Sequence, residues 1–196
     1  MRGPYAKSTT VKRRILDAAA ATFSEQGYRG GSTAAIASRA GLSQAQLYYH
    51  FANKADVLAA VLDDRDRIAD EITGQLPDDP RGIPAAVLRI AASNQSIPGL
   101  IRLYMVLFAE ASGANHPLAE HYRRRYQRLE GEFLTAFESM QQAGLLRGGI
   151  DAVYAAASTL ALWDGFQLQW LIDPVRVDVV SQLRRHLAAI TWVTFA

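Results

Sequence analysis

The chain has 196 residues, 49% of them apolar and 20% charged, with a formal net charge of +2 and no cysteine. That length accommodates a small domain joined to a larger one, and that composition fits an ordinary globular protein rather than a disordered one. Without cysteine there is no disulfide framework, thiolate zinc site or cysteine nucleophile, and no two of His50, His116, His121 and His186 have the spacing of a helical zinc pair.

The charge is uneven. Residues 1–54 carry eight Lys or Arg against only Asp17 and Glu25, a surplus of six, and the remainder is net acidic. A basic head on an acidic body suggests that an anionic polymer is gripped at one end. The N-terminal residues lack the apolar run of a signal peptide, so the chain is expected in the cytoplasm.

Helical periodicity dominates and strand patterns are nearly absent. A first helix is predicted over about Thr9–Gln26, with Val11, Ile15, Ala18, Ala19 and Thr22 on one face, Phe23 extending it, and Gly27 placed to end it. A short helix follows a cap at Ser32 or Thr33. Gly41-Leu42 then makes a sharp turn, and Ser43 caps a third helix over Gln44–His50. Asn53, with Asp56 three residues on, caps a fourth that runs to about Leu76, where Pro77-Asp78-Asp79-Pro80 breaks it. Five more helices are predicted at about 82–95, 99–112, 117–143, 150–172 and 175–193, with Pro98, Pro117 and Pro174 at starts. Residues Ala152 to Ile172 are largely apolar but include Asp164, Gln167 and Gln169, which favours a helix buried between protein surfaces over a membrane span. These elements predict an all-α fold of nine helices in two units, 1–54 and 55–196, the first expected to bind DNA and the second expected to bind a ligand and dimerise if the motif at residues 32–51 is what it resembles.

Residues 32–51 carry the chemistry. A helix-turn-helix needs a small residue where its helices cross, a residue tolerant of positive φ in the turn, and an apolar pin on the second helix. Ala37, Gly41 and Leu47 have those spacings, and Ile36 and Leu42 complete a small core. So pinned, the second helix leaves Gln44, Ala45, Gln46 and Tyr49 on exposed faces. There amides can pair with adenine edges, and a methyl can pack on thymine. The same corner also occurs as plain packing.

The run Arg14-Ile15-Leu16-Asp17-Ala18-Ala19, then Phe23, Gly27, Thr33, Ile36-Ala37, Ala40-Gly41-Leu42-Ser43, Leu47-Tyr48-Tyr49-His50-Phe51, Lys54 and Leu58, resembles the tetracycline-repressor (TetR) family. The match spans about residues 11–60, and beyond it only length and helix order are similar. The resemblance implies repression of transcription, phosphate contacts from Thr33, Tyr48, His50 and Lys54, and base or phosphate contacts from Ser43, Gln44, Ala45, Gln46 and Tyr49. Each position has a plainer reading. Tyr48 can be a packing aromatic, His50 can complement the helix dipole, Ser43 is a cap in any case, and Lys54 can be a solvated lysine.

In the second half, Trp163, Gln167 and Trp170 share one helical face and could wall an apolar cavity with a polar anchor, or simply belong to the core. Tyr104 and Phe108 could form an opposing wall. Asp164 in an apolar helix should find a partner or a ligand. The last two helices, through Leu160, Leu168 and Leu171 and through Val179, Leu183, Leu187 and Ile190, are expected to pair in a homodimer. The expected partners are a palindromic double-stranded DNA operator, a small-molecule effector and a second copy of the chain. No membrane, metal, cofactor or catalytic residue is expected, and no Ser/His/Asp set or phosphate-binding glycine loop occurs. A ligand-independent DNA-binding protein and a small helical enzyme are the alternatives.

Overall fold

In the computed structural model, residues 4–73, 77–111 and 119–194 are described. Among them the chain forms nine α-helices: α1 (Pro4–Gly30), α2 (Thr33–Arg39), α3 (Gln44–His50), α4 (Lys54–Thr73), α5 (Ile83–Gln95), α6 (Pro98–Ala111), α7 (Ala119–Gln142), α8 (Ala152–Ile172) and α9 (Val179–Ile190). A 3-10 turn, Pro80–Gly82, precedes α5. No described helix is long and apolar enough to cross a membrane. The chain divides into two compact units, Met1–Arg67 with Arg102–Ala119, and Ile68–Ile101 with Glu120–Ala196.

In the first unit α1, α2 and α3 pack around a core of Ile15, Ala19, Phe23, Ile36, Ala37 and Leu47, all essentially inaccessible. Val57 and Leu58 of α4 are equally buried. Gly27, the residue predicted to end the first helix, breaks it at φ 70° and ψ 174°, and a short helical segment follows the kink to Gly30. Ser32 caps α2 by accepting from the Ala35 amide at 3.1 Å. Asn53 accepts from the Asp56 amide at 2.9 Å, and its own side-chain amide donates to Asp56 at 3.1 Å, so the predicted capping pair starts α4. The predicted end of α4 at Leu76 lies outside the described residues, as does the predicted helix start at Pro117.

The second unit is organised around α9. Asp178 caps it at the Val180 amide, 3.1 Å, so it begins four residues later than predicted, and Pro174–Arg176 form a turn. Its apolar residues Val179, Leu183, Leu187 and Ile190 are buried within the chain, where α9 packs against α5 and α8. They are therefore not available to a partner, and Leu160 of α8 is likewise buried; Leu168 of the expected set is exposed. The expectation that Leu160, Val179, Leu183, Leu187 and Ile190 form the dimer surface is corrected accordingly, whereas Leu168 and the half-buried Leu171 are not contradicted. An amphipathic helix declares an apolar stripe in its sequence, but not whether its own chain covers that stripe.

The end of α9 is pinned to the loop before α8. The Arg147 amide donates to the Ile190 carbonyl at 2.9 Å and the Trp192 amide donates to the Leu145 carbonyl at 2.8 Å. The Arg147 guanidinium lies 4.2 Å from the Trp192 ring centroid.

Candidate functional site

α3 is seven residues long and held at both ends. Ser43 and Gln46 form a reciprocal capping box: the Ser43 hydroxyl accepts from the Gln46 amide at 3.2 Å, and Gln46 Oε1 accepts from the Ser43 amide at 2.8 Å. Gly41, at φ 65°, supplies the reversal before the cap. Arg14 of α1 spans that turn, donating to the carbonyls of Ala40 and Gly41. Leu47, wholly buried, fixes the helix rotation, so Ser43, Gln44, Ala45, Gln46, Tyr48 and Tyr49 are exposed and His50 is half-buried. Tyr49 stands furthest out, 85% exposed, with its ring edge-on to His50 at 5.2 Å.

The structure adds a network that sequence reasoning missed. Thr33, 8% exposed, lies with its hydroxyl 2.9 Å from Gln44 Nε2 and 3.1 Å from the Tyr48 hydroxyl. One buried hydroxyl on α2 thus engages two exposed residues of α3. These residues are 11 and 15 positions from Thr33, a separation that no helical period encodes.

The basic residues are also more committed than their count suggests. Arg13 bonds Asp17 at 2.6 Å and Asp64 at 2.8 Å, and Arg39 bonds Glu25 at 2.7 Å. Both acidic residues of the first 54 are thereby paired with arginine. Lys54 lies with Nζ 4.5 Å from the Tyr28 ring centroid and 3.4 Å from the Arg29 carbonyl. Burial lowers the lysine pKa from its ordinary value.

Four of the expected ligand residues lie on α8 in the second unit. Trp163 is 6% exposed and meets Phe133 of α7 edge to face at 6.0 Å. Its indole Nε1 is buried without a hydrogen-bond partner among the described residues. Gln167 is buried, and its Oε1 accepts from Asn94 of α5 at 2.9 Å. Trp170 is buried on the same face. Asp164 is partly buried, and burial raises its pKa to about 6 despite the opposing charge of Arg125. Tyr104 and Phe108 belong to the first unit, where their rings stack on each other at 6.2 Å.

Residues 15–61 match the family model for bacterial regulatory proteins of the tetR family. Residues 85–191, more than half of the chain, match the model for the C-terminal region of BetI-type transcriptional repressors. The HTH-type transcriptional regulator TtgR of Pseudomonas putida is 24% identical over 182 residues, covering 89% of this chain and 87% of its own. Among solved structures, a TetR transcription regulator from Haloarcula marismortui aligns with a TM-score of 0.78 at 20% identity, over 93% of this chain and 99% of that one. The transcriptional regulator FadR from Bacillus subtilis, in complex with stearoyl-CoA, aligns at 0.75 with 18% identity over 93% and 99% of the two chains. Both structures share this fold.

Proposed function

The chain belongs to the tetR family of bacterial regulatory proteins, and from that membership we propose that it represses transcription as a homodimer on a palindromic operator until a small molecule releases it. The observation that carries the reading is α3, a short helix pinned by buried Leu47 with Gln44, Ala45, Gln46, Tyr48 and Tyr49 facing outward. A helix so presented suits the major groove. In a two-fold dimer, two copies of α3 address half-sites about 34 Å apart or a multiple of that distance. Thr33, Tyr48, His50 and Lys54 contact phosphates in this reading, with Ser43 holding the helix start.

The effector is placed on the α7–α8 face of the second unit, against Trp163, Asp164, Gln167 and Trp170. A buried indole N–H without an acceptor is an unmet hydrogen bond, and a ligand oxygen or nitrogen would satisfy it. Ligand binding then favours the state with weaker DNA affinity, by its differential affinity for the two states.

The test is retention of DNA from the protein's own upstream region at several salt concentrations. Specific retention of a palindromic fragment, falling steeply as salt rises, supports the reading. If a selection from random duplex DNA also yields no preferred sequence, the reading is wrong. A compound that releases the fragment should bind Trp163→Phe far more weakly, while that variant holds the operator as the wild type does.

A further inference from the structure

The capping box constrains how Gln46 can read DNA. A backbone N–H only donates, so the atom 2.8 Å from the Ser43 amide has to be the carboxamide oxygen of Gln46, Oε1. The oxygen end is thereby turned back onto the helix start. The Gln46 amide returns the contact to the Ser43 hydroxyl at 3.2 Å, which fixes the χ angles of both residues. What remains to face outward is Nε2, an NH₂ group with two hydrogens and no acceptor capacity. It has no partner among the described residues, and the side chain is exposed.

A free glutamine recognises adenine by donating to N7 while accepting from N6. A glutamine whose oxygen is turned onto the helix start cannot lay its oxygen and Nε2 together along one adenine edge, although that oxygen keeps a second lone pair. We propose that Gln46 acts in the major groove as a donor only, pairing with guanine O6 or N7, thymine O4 or adenine N7, and indifferent to exocyclic amino groups. The proposal deepens the operator-binding reading and rests on it. Gln44 carries no such assignment, because its partner, the Thr33 hydroxyl, can either give or take a hydrogen bond.

The experiment has two steps. A selection from random duplex DNA with wild type and Gln46→Ala identifies the base pair whose preference residue 46 sets. Affinity is then measured on operators carrying base analogues at that pair. Replacing purine N7 by carbon, or removing thymine O4, should weaken wild-type binding roughly fivefold where that atom is the one contacted. Deleting the exocyclic amino group of adenine or cytosine should leave binding unchanged. Gln46→Glu keeps the acceptor for the Ser43 amide but presents an oxygen outward, so its dependence should reverse, with the amino deletion now weakening binding.

A wild-type loss on amino deletion overturns the proposal. So does a Gln46→Ala consensus unchanged at every position, since Gln46 would then serve only as a cap. A sharp wild-type consensus that ignores residue 46 sinks this proposal alone. A wild type that enriches no sequence sinks the operator reading with it.

Discussion

Asp164 shows what a single residue discloses once its surroundings are known. In sequence it is a carboxylate inside an apolar helix, which implies either a partner or a cost. In the structure burial dominates, and its pKa rises to about 6 from the ordinary 3.8 in spite of Arg125. The folded state therefore holds this proton more tightly than the unfolded chain does. Its contribution to stability is fully present below about pH 4 and is lost as pH rises through about 6. Because the residue is only partly buried, the loss should amount to roughly 1–2 kcal/mol. The stability of Asp164→Asn relative to wild type, by urea denaturation, is expected to increase by that amount from about pH 4 to about pH 7. A constant difference across the range would show that Asp164 ionises normally. Gln167 is the contrasting case. Its place on the Trp163 face was legible from helical period, but its bond to Asn94, 73 residues away, was not.

At the scale of elements, local chemistry was legible where short range decides it. The caps at Ser43 and Asn53 and the turn at Gly41 each depend on residues within four positions, and each was read from spacing. The start of α9 was misplaced because Pro174 resembles a helix-starting proline, whereas Asp178 makes the cap. The Gly41 turn gives a direct test. A methyl group there would sit at φ 65° and 2.8 Å from Arg14 Nη2, displacing the guanidinium that holds the turn carbonyls. Gly41→Ala is expected to lose about 1–3 kcal/mol of stability and to weaken DNA binding at least tenfold, since the angle between α2 and α3 changes. Unaltered denaturation and DNA affinity would mean that the turn absorbs a side chain.

The α8–α9 contact is a second such test. Thr159 Oγ1 already donates to the Ala155 carbonyl at 2.6 Å, so His186 Nε2, 3.1 Å away, is the donor between them. Burial lowers the His186 pKa below 6.5, and the unfolded chain binds its proton more readily. This contribution to stability is present above about pH 6.5 and is lost as pH falls through the lowered folded value. Replacing His186 with Gln should remove that dependence. The stability gap between wild type and His186→Gln is therefore expected to be larger at about pH 7.5 than at about pH 5.5. A gap that widens on acidification would reverse the assigned sign.

For the whole molecule, the open question raised by the fold is what covers α8. With Val179, Leu183, Leu187 and Ile190 spent inside the chain, we place the proposed second copy on the outward stripe of α8, whose residues Tyr154, Ala157, Ala161, Leu168 and Ile172 are exposed. These positions recur at helical spacing, and Gly165 falls between them with nothing within 4 Å of a built Cβ. The stripe lies opposite the buried Trp163, Gln167 and Trp170, so one helix offers one face to the proposed effector and another to the proposed partner. It contains no charge, and its small central residues let two copies approach closely about a two-fold axis. The sequence hid this choice because α8 is apolar nearly all round, and helical period could not tell its inner face from its outer one. Ala161→Arg would place two guanidinium groups near that axis without entering the core of either chain. The expected outcome by analytical ultracentrifugation is a monomer at micromolar concentration, with thermal unfolding shifted only by loss of association. Affinity for a full palindrome should fall toward that for one half-site, because the second contact is no longer held at a fixed spacing. A variant that remains dimeric would place the interface elsewhere.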